Sequence, residues 1–386
     1  MTYNFDEVVN RRNTNCIKWD TQEDDVLPMW IADMDFKSPD EVIEALVERA
    51  KEGVFGYNFR QDGFYDSIIN WVKKKFDWEI KRDWIVFTPG VVTGFNIGIR
   101  ALTDEDDGVL IQTPVYPPFK GTIDNIGRKL RTNPLIIKDG KYQMDYDDLE
   151  NKLKESKALL LCSPHNPVGR VWTKDELEKL SKLCVENDVY IISDEIHCDL
   201  AYKANKHTMI ASLSEEMANR TITLIAPSKT FNIAGLFTSV AIIPNEEIRN
   251  KVNAEIAAVG IDHTSIFGAL GLEAAYTYGE AWLDELLDYL EGNADYVVDF
   301  IKEHIPEVKI IKPDGTFLLW LDFSSLGLSQ DELIDLMLNK AKVNMNDGTN
   351  FGEEGRGFLR MNIGTSRANV EEGLKRIEKA VKANHR

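Results

Sequence analysis

Short, mostly apolar segments alternate with amphipathic helical patterns through the middle of this 386-residue chain. The segments that we interpret as buried strands are residues 84–88, 109–111, 158–162, 189–193 and 222–226. Strands that are apolar on both faces belong to sheets covered by helices on both sides, and helical connections make neighbouring strands parallel. The pattern therefore predicts an α/β fold with a largely parallel sheet flanked by helices.

Two helix starts carry capping signals. Ser38 is placed to act as an N-cap, with Pro39 at the first helical position and Glu41 closing a capping box. Thr173 and Glu176 have the same spacing before a second apolar stripe. We expect a helix to follow each signal.

The pattern changes after about residue 285, where helices and strands no longer alternate regularly. We expect helices at 289–305 and 331–340 and from residue 370, with strands at 308–311, 317–321 and 358–361. A chain of this length fits about two domains. We predict a large domain over 48–287 and a smaller α+β domain formed by 1–47 together with 288–386.

Composition excludes several classes of partner. A net charge of −19 argues against nucleic acid and anionic membranes, since both require clustered Lys and Arg. No apolar run approaches the roughly 20 residues of a membrane span, and the N-terminus lacks the pattern of a secretion signal. The four cysteines show no paired spacing, which is typical of reduced thiols. We therefore expect a cytoplasmic protein.

Polar residues stand where three of the predicted strands end. Asn166, Asp194 and Lys229 each follow an apolar strand within a few residues. In a parallel sheet the carboxyl ends of the strands meet at one edge, which is where ligands bind. These three residues are therefore candidates for one site.

Each candidate has a chemical role and a simpler alternative. A strand-end position would partly desolvate Lys229, which lowers its pKa and makes it a usable nucleophile and base, whereas an isolated lysine is usually solvated. A carboxylate such as Asp194 is costly at the end of an apolar strand without a cation, although it can also cap a helix. Arg360 lies in an alternating apolar strand and suits a substrate carboxylate, the alternative being a structural salt bridge.

Three further features complete a possible cofactor site. Residues 89–94 link a strand to a helix, and their amides could bind phosphate. Tyr116 could stack on a ring and Asn166 could bind a phenolic oxygen, but both could be structural. A lysine, an acid for a ring nitrogen and an anion cup are what pyridoxal phosphate requires of a protein.

A metal site is the competing interpretation of one stretch. Asp194, Glu195, His197 and Cys198 are all possible ligands. Their spacing matches no common metal motif, and no distant ligand pair accompanies them. We therefore predict no metal.

Together, these motifs resemble the fold-type I pyridoxal-phosphate enzymes of the class I/II aminotransferase family, over essentially the whole chain. The resemblance is greatest to the aminotransferase-like cystathionine β-lyases, the carbon–sulfur lyase branch. The matching segments are residues 29–36, 55–57, 87–92, 162–170, 193–197, 228–232 and 351–352, the last leading to Arg360.

The resemblance implies a role for each residue around the cofactor ring. Lys229 would carry the cofactor, Asp194 would bind its ring nitrogen, and Tyr116 would lie on the ring face. Asn166 would lie beside the phenolic oxygen, with His197 where many relatives place a tyrosine.

The resemblance also implies how the phosphate and the substrate are bound. Backbone amides of Val91 and Val92 and the hydroxyl of Ser228 would hold the phosphate. Tyr57 would reach the phosphate of a neighbouring subunit, which implies a homodimer with shared active sites. Arg360, with Asn166, would bind the carboxylate of a small amino-acid substrate.

One departure from the family pattern bears on the reaction. Typical aminotransferases carry a phosphate-binding arginine shortly after the lysine, where this chain has Phe237. A weaker phosphate clamp suits a lyase, which regains its covalent link to the cofactor in every turnover. The sequence thus predicts a β-lyase acting on cystathionine or cysteine S-conjugates. An aminotransferase remains the first alternative, and a regulatory binding protein on the same fold the second.

Overall fold

The computed structural model describes residues 3–384, in which strands and helices alternate along most of the chain. The strands are β1 (Leu27–Pro28), β2 (Ile85–Thr88), β3 (Gly108–Ile111), β4 (Lys129–Thr132), β5 (Ile136–Lys138), β6 (Lys141–Gln143), β7 (Ala158–Cys162), β8 (Tyr190–Asp194), β9 (Thr221–Ile225), β10 (Ser239–Ile242), β11 (Lys309–Ile310), β12 (Leu318–Asp322), β13 (Val343–Asn344), β14 (Asn346–Asp347) and β15 (Phe358–Asn362). The helices are α1 (Ile17–Asp20), α2 (Asp40–Lys51), α3 (Asp62–Phe76), α4 (Val91–Leu102), α5 (Pro118–Asn125), α6 (Tyr146–Leu153), α7 (Lys174–Glu186), α8 (Glu215–Ala218), α9 (Pro227–Thr230), α10 (Glu246–Val259), α11 (Ile266–Tyr278), α12 (Glu280–His304), α13 (Gln330–Asp335) and α14 (Arg367–Asn384).

Seven strands form the central sheet, in the order β2–β10–β9–β8–β7–β3–β4. Strand β10 runs antiparallel to both of its neighbours, and the other adjacent pairs are parallel. The prediction of a largely parallel sheet is confirmed. Strands β2, β7, β8 and β9 therefore end at the same edge, which is also where β10 begins.

Helices cover both faces of this sheet, as the apolar strands required. Leu160 of β7 packs in one cluster with Phe95 of α4. Its neighbours Leu159 and Leu161 point to the opposite face and pack in a second cluster with Leu177 of α7. Strands buried on both faces are mostly apolar along their length, and the polar residues of the candidate site lie at or just beyond their ends.

The two predicted helix starts differ in outcome. Thr173 and Glu176 form the capping box before α7, as predicted. The prediction for Ser38 is wrong, since α2 begins at Asp40 and has no side-chain cap. The Ser38 hydroxyl instead donates a hydrogen bond to the carbonyl of Asn232 at 3.3 Å. The Ser38 hydroxyl therefore makes a tertiary hydrogen bond instead of the helix cap that the local sequence predicted.

A second, antiparallel sheet has the order β11–β12–β15–β14. The N-terminal segment joins this part of the chain, because Leu27 of β1 pairs with Val343 of β13. The predicted domain boundaries at 47/48 and 287/288 fall inside α2 and α12, and α12 begins nine residues before the expected 289. The division into these two domains stays a prediction.

Residues 29–36, here called the strap, follow β1 as an irregular segment with two bends and are anchored by buried charges. Lys18 and Asp35 are 1% and 5% exposed and form an ion pair at 2.8 Å. Arg11 bridges Asp33 at 2.8 Å and Asp35 at 2.9 Å. Burial acts to raise the pKa of Asp35, but the Lys18 charge and the hydrogen bonds from Lys18, Trp19 and Arg11 together outweigh it, and the pKa lies below its ordinary value. Ion pairs of Lys18 and Arg11 with the strap carboxylates therefore hold the strap in place.

Between residues 3 and 384, none of the helices combines the length and the apolar character needed to cross a bilayer.

The charge network predicts a large difference between two lysine substitutions. Lys18→Met leaves the buried Asp35 without its closest cation, and we expect it to lower the free energy of unfolding by about 3–5 kcal/mol. Lys37→Met is the matched control, because the pair of Lys37 with Glu7 is 58% and 46% exposed and should contribute less than about 1 kcal/mol. Denaturant titration measures both. Equal effects of the two substitutions would contradict a structural role for the buried pair.

Candidate active site

A cavity of about 300 Å³ opens at the carboxyl edge of the central sheet. Its lining contains most of the residues that the sequence nominated, and its walls include Ala32, Val91, Val92, Tyr116, Asn166, Asp194, His197, Ser228, Lys229, Phe237 and Thr238. The structure thus brings together residues from five separate strand ends. Arg360 donates a hydrogen bond to Asn166, which lines the cavity. Tyr57 is not among the lining residues and lies at a separate surface depression.

Lys229 enters the cavity from α9, the single helical turn that follows β9. The next residue, Thr230, donates a hydrogen bond to the buried Asp199 at 2.8 Å and fixes this turn. Lys229 Nζ donates to the carbonyl oxygen of Ala32 at 2.6 Å. Loss of hydration lowers the pKa of Lys229 to about 8, although the charge of Asp33 opposes the change. The amine is therefore available as a nucleophile and base at mildly alkaline pH.

Asp194 is the last residue of β8 and is almost completely buried. Loss of hydration raises the pKa of Asp194 to about 7, against a hydrogen bond from the Ile196 amide and the charge of Lys229. A cationic N–H group beside this carboxylate would keep it ionised. The site therefore favours a ligand with a protonated ring nitrogen.

Asn166, which lines the cavity, is hydrogen-bonded to Arg360 behind it. Arg360 Nη1 donates to Asn166 Oδ1 at 3.0 Å, and Nη2 donates to the carbonyl of Trp30 at 2.9 Å and to Asn346 Oδ1. Burial lowers the pKa of Arg360 to about 10, so the guanidinium remains charged at neutral pH. Its Nε is buried without a hydrogen-bond partner among the described residues. A buried, incompletely paired guanidinium suits a carboxylate.

The anion cup lies at the N-terminus of α4. Gly90 precedes the helix, and the amides of Val91 and Val92 belong to the first turn, where N–H groups have no partner within the helix. Ser228, which carries a hydroxyl, lines the same cavity. Backbone amides and the helix dipole together favour a phosphate at this end.

Two orphaned polar atoms test whether the cavity fits pyridoxal phosphate. His197 Nδ1 and Thr238 Oγ1 belong to cavity-lining residues and are buried without a hydrogen-bond partner in the described part of the chain. Burial lowers the pKa of His197 to about 3, so the imidazole is neutral. With Asp194 for a ring nitrogen and amides for a phosphate, this set of groups fits the cofactor that the resemblance implies.

Tyr116 and Tyr57 differ in position. Tyr116 lines the cavity, and burial followed by the nearby charge of Asp194 raises its pKa above the ordinary value. Tyr57 is fully exposed and lies in a surface depression with Phe55 and His263. Within one chain, therefore, Tyr57 does not reach the cavity.

The sequence analysis missed the contribution of the strap. The carbonyl of Ala32 accepts from Lys229, and the carbonyl of Trp30 accepts from Arg360. The Asn232 amide donates to the carbonyls of Met34 and Phe36 at 2.9 and 2.8 Å. These acceptors are backbone atoms, so residue identity gives no signal for them. The only sign was the match of residues 29–36 to a family motif.

The lowered pKa of Lys229 predicts its reactivity in the cofactor-free chain. We expect acylation by pulses of acetic anhydride to reach half its maximal rate near pH 8, compared with about 10.4 for free lysine side chains. The amine is neutral above its pKa, so the rate rises with pH through that value. Mass spectrometry of the labelled peptide measures it, with N-acetyl-lysine as the control. A midpoint equal to that of the control would mean that Lys229 is an ordinary solvated lysine.

Comparison with known proteins agrees with this geometry. The profile of the family described as aminotransferase class I and II matches residues 24–377. The chain is 44% identical to cystathionine beta-lyase PatB of Bacillus subtilis strain 168, covering 98% of this chain and 100% of that protein. Cystalysin of Treponema denticola, solved with pyridoxal 5'-phosphate, superposes with a TM-score of 0.96 at 38% identity, covering 99% and 100% of the two chains. The PLP-bound C–S lyase of Staphylococcus hominis gives a TM-score of 0.92 at 33% identity, covering 98% and 99%. These matches confirm the predicted fold type, and the chain belongs to the aminotransferase class I and II family.

Proposed function

We propose that this protein is a pyridoxal-phosphate-dependent β-lyase that cleaves cystathionine or other cysteine S-conjugates to a thiol, pyruvate and ammonia. The observation that carries the proposal is the juxtaposition, in one cavity, of a lysine with a pKa near 8 and a buried strand-end carboxylate. The similarity to proteins named as cystathionine β-lyase and C–S lyase supports this reaction.

Binding of the substrate carboxylate sets the geometry of the reaction. Arg360 offers its guanidinium, and Asn166 offers its amide next to it. Anchoring the carboxylate fixes which bond of the α-carbon faces Lys229 and the cofactor ring. Arg360 therefore selects removal of the α-proton over loss of the carboxylate.

Lys229 carries out the proton transfers of the proposed reaction. Pyridoxal phosphate, when bound, supplies an electron-withdrawing ring that stabilises negative charge at the substrate α-carbon. With the cofactor bound, Asp194 would keep the ring nitrogen protonated and Tyr116 would lie against the ring face. Lys229, as the neutral amine, takes the α-proton and then holds it as an ammonium group near the Ala32 carbonyl. The β-carbon–sulfur bond breaks, the departing thiolate takes the proton from Lys229, and water completes the release of pyruvate and ammonia.

Phe237 supports a lyase over an aminotransferase. It lines the cavity where typical aminotransferases place an arginine, and among the described lining residues Lys229 is the only Lys or Arg. An aminotransferase must hold the aminated cofactor for half of its cycle without a covalent link. A lyase ends every turnover with Lys229 linked to the cofactor again, so it tolerates a phosphate site with fewer cations.

We further propose that the protein works as a homodimer in which Tyr57 completes the phosphate site of the partner subunit. A row of exposed apolar side chains supports this, since Val54, Phe55, Tyr57 and Phe59 are 71, 59, 102 and 78% exposed. Clustered exposed aromatic residues are typical of a surface that another protein covers. A second copy of this chain is the partner we propose.

The division into domains and the cellular location also belong to the proposal. Residues 48–287 would form the large cofactor-binding domain, and 1–47 with 288–386 the small one. The packing of Phe5 against Tyr289 and the pairing of Leu27 with Val343 support joining the N-terminal segment to the C-terminal part. A small amino-acid substrate, no nucleic-acid or membrane partner and a cytoplasmic location complete the proposal.

The reaction is tested directly with L-cystathionine and purified protein loaded with pyridoxal phosphate. We expect pyruvate and free thiol to appear in equal amounts when no keto acid is supplied. Lys229→Ala is the control and should lose at least about a hundredfold in rate, since it removes the general base. Accumulation of aminated cofactor without pyruvate would instead identify an aminotransferase.

Mixed dimers test the role of Tyr57. The variants Tyr57→Ala and Lys229→Ala should each have little activity alone. If Tyr57 acts across the interface, their mixed dimer contains one site with both native residues, and we expect roughly half of the native activity per mixed dimer. Tyr278→Ala is the matched control, because Tyr278 is a 61% exposed tyrosine outside the row, and it should retain activity. A mixed dimer with no gain in activity would show that Tyr57 does not serve the partner's site.

A further inference from the structure

Thr238 carries a buried hydroxyl for which the protein itself provides no partner. The side chain lines the cavity and the residue is 2% exposed. Within residues 3–384, its Oγ1 has no hydrogen-bond partner. A buried hydroxyl without a partner is costly, so its retention beside a cavity points to a ligand atom.

Strand register places Thr238 at the anion cup. Strand β10 runs antiparallel to β2, and Ser239 pairs with Thr88. Thr238 therefore precedes β10 at the point where Pro89 follows β2, next to the start of α4. The hydroxyls of Ser239 and Thr88 bind each other at 2.7 Å. Those two groups are thus satisfied within the sheet, whereas Thr238 is not.

The local backbone holds Thr238 in this position. Phe237 has φ 49° and ψ 61°, a left-handed conformation that is unfavourable for an aromatic residue. On the other side, α11 packs so closely that a Cβ built at Gly268 would lie 2.7 Å from the Leu236 carbonyl and 3.4 Å from the Thr238 Cβ. The strained turn and the close helix together fix the position of Thr238 on the cavity wall.

We propose that the Thr238 hydroxyl donates a hydrogen bond to the phosphate of the cofactor. This inference rests on the proposed function, since it requires pyridoxal phosphate in the cavity. The phosphate end offers the amides of α4 and the hydroxyl of Ser228, and the described lining residues include no arginine, with Phe237 in the place where typical aminotransferases have one. Thr238 adds a donor one residue further along the chain.

Substitutions at Thr238 test the hydroxyl separately from side-chain volume. Thr238→Val keeps the shape and removes the donor, and Thr238→Ser restores the donor. Thr223→Val is the matched control, because Thr223 on β9 is 0% exposed, its Oγ1 also lacks a partner among the residues that the structure describes, and it is not one of the lining residues of the cavity. The full-length variants are compared by equilibrium titration of cofactor-free protein with pyridoxal phosphate and with pyridoxal, which lacks the phosphate.

For Thr238→Val we expect affinity for pyridoxal phosphate to fall about tenfold to a hundredfold, the usual effect of losing a hydrogen bond to a charged group. Affinity for pyridoxal should be unchanged, Thr238→Ser should recover most of the loss, and Thr223→Val should bind both ligands like the native chain. Equal weakening for pyridoxal, or no weakening for pyridoxal phosphate, would overturn the inference while leaving the proposed function intact. Failure of the native chain to bind pyridoxal phosphate would overturn both.

Discussion

The central constraint on this molecule is that parallel strands buried on both faces end at one edge of the sheet. The polar groups of the candidate site enter the interior there, and they lose hydration in doing so. Burial raises the pKa of Asp194 to about 7 and lowers the pKa of Lys229 to about 8. Both shifts favour the neutral forms, so the two groups lie close to their ionisation points near neutral pH. Burial at the strand ends thus gives Lys229 the pKa of a usable base. It also leaves Asp194 as a carboxyl group whose ionised form a cationic ligand would stabilise.

The strap supplies backbone hydrogen-bond acceptors to the site at this edge of the sheet. Its backbone carbonyls accept from Lys229 at Ala32 and from Arg360 at Trp30, only two residues apart. The proposed catalytic amine of Lys229 and the proposed carboxylate-binding guanidinium of Arg360 are therefore both held by one short segment. The buried ion pair of Lys18 with Asp35 anchors that segment. Stability of the N-terminal region and alignment of the site consequently depend on the same contacts.

Sequence patterns predicted the parts of this structure that depend on local periodicity. The strand at 158–162 has the expected bounds, and Asn166, Asp194 and Lys229 meet at one edge as their strand-end positions required. What the sequence could not predict depends on contacts between distant segments. Ser38 lost its capping role to a carbonyl 194 positions away in the chain. The carbonyl of Ala32 and the strand register that directs Thr238 are likewise properties of the folded backbone.

The phosphate end of the cavity connects this architecture to the choice of reaction. A guanidinium binds phosphate with charge and two hydrogen bonds, whereas a hydroxyl such as Thr238 contributes one neutral donor. With Phe237 in the cation's place, more of the affinity for the cofactor must come from the covalent link at Lys229. That link is restored in every cycle of β-elimination but is absent for half of a transamination cycle. A chain that keeps the lysine and the strand-end acid, but replaces the arginine with neutral donors, is therefore better suited to elimination than to transamination.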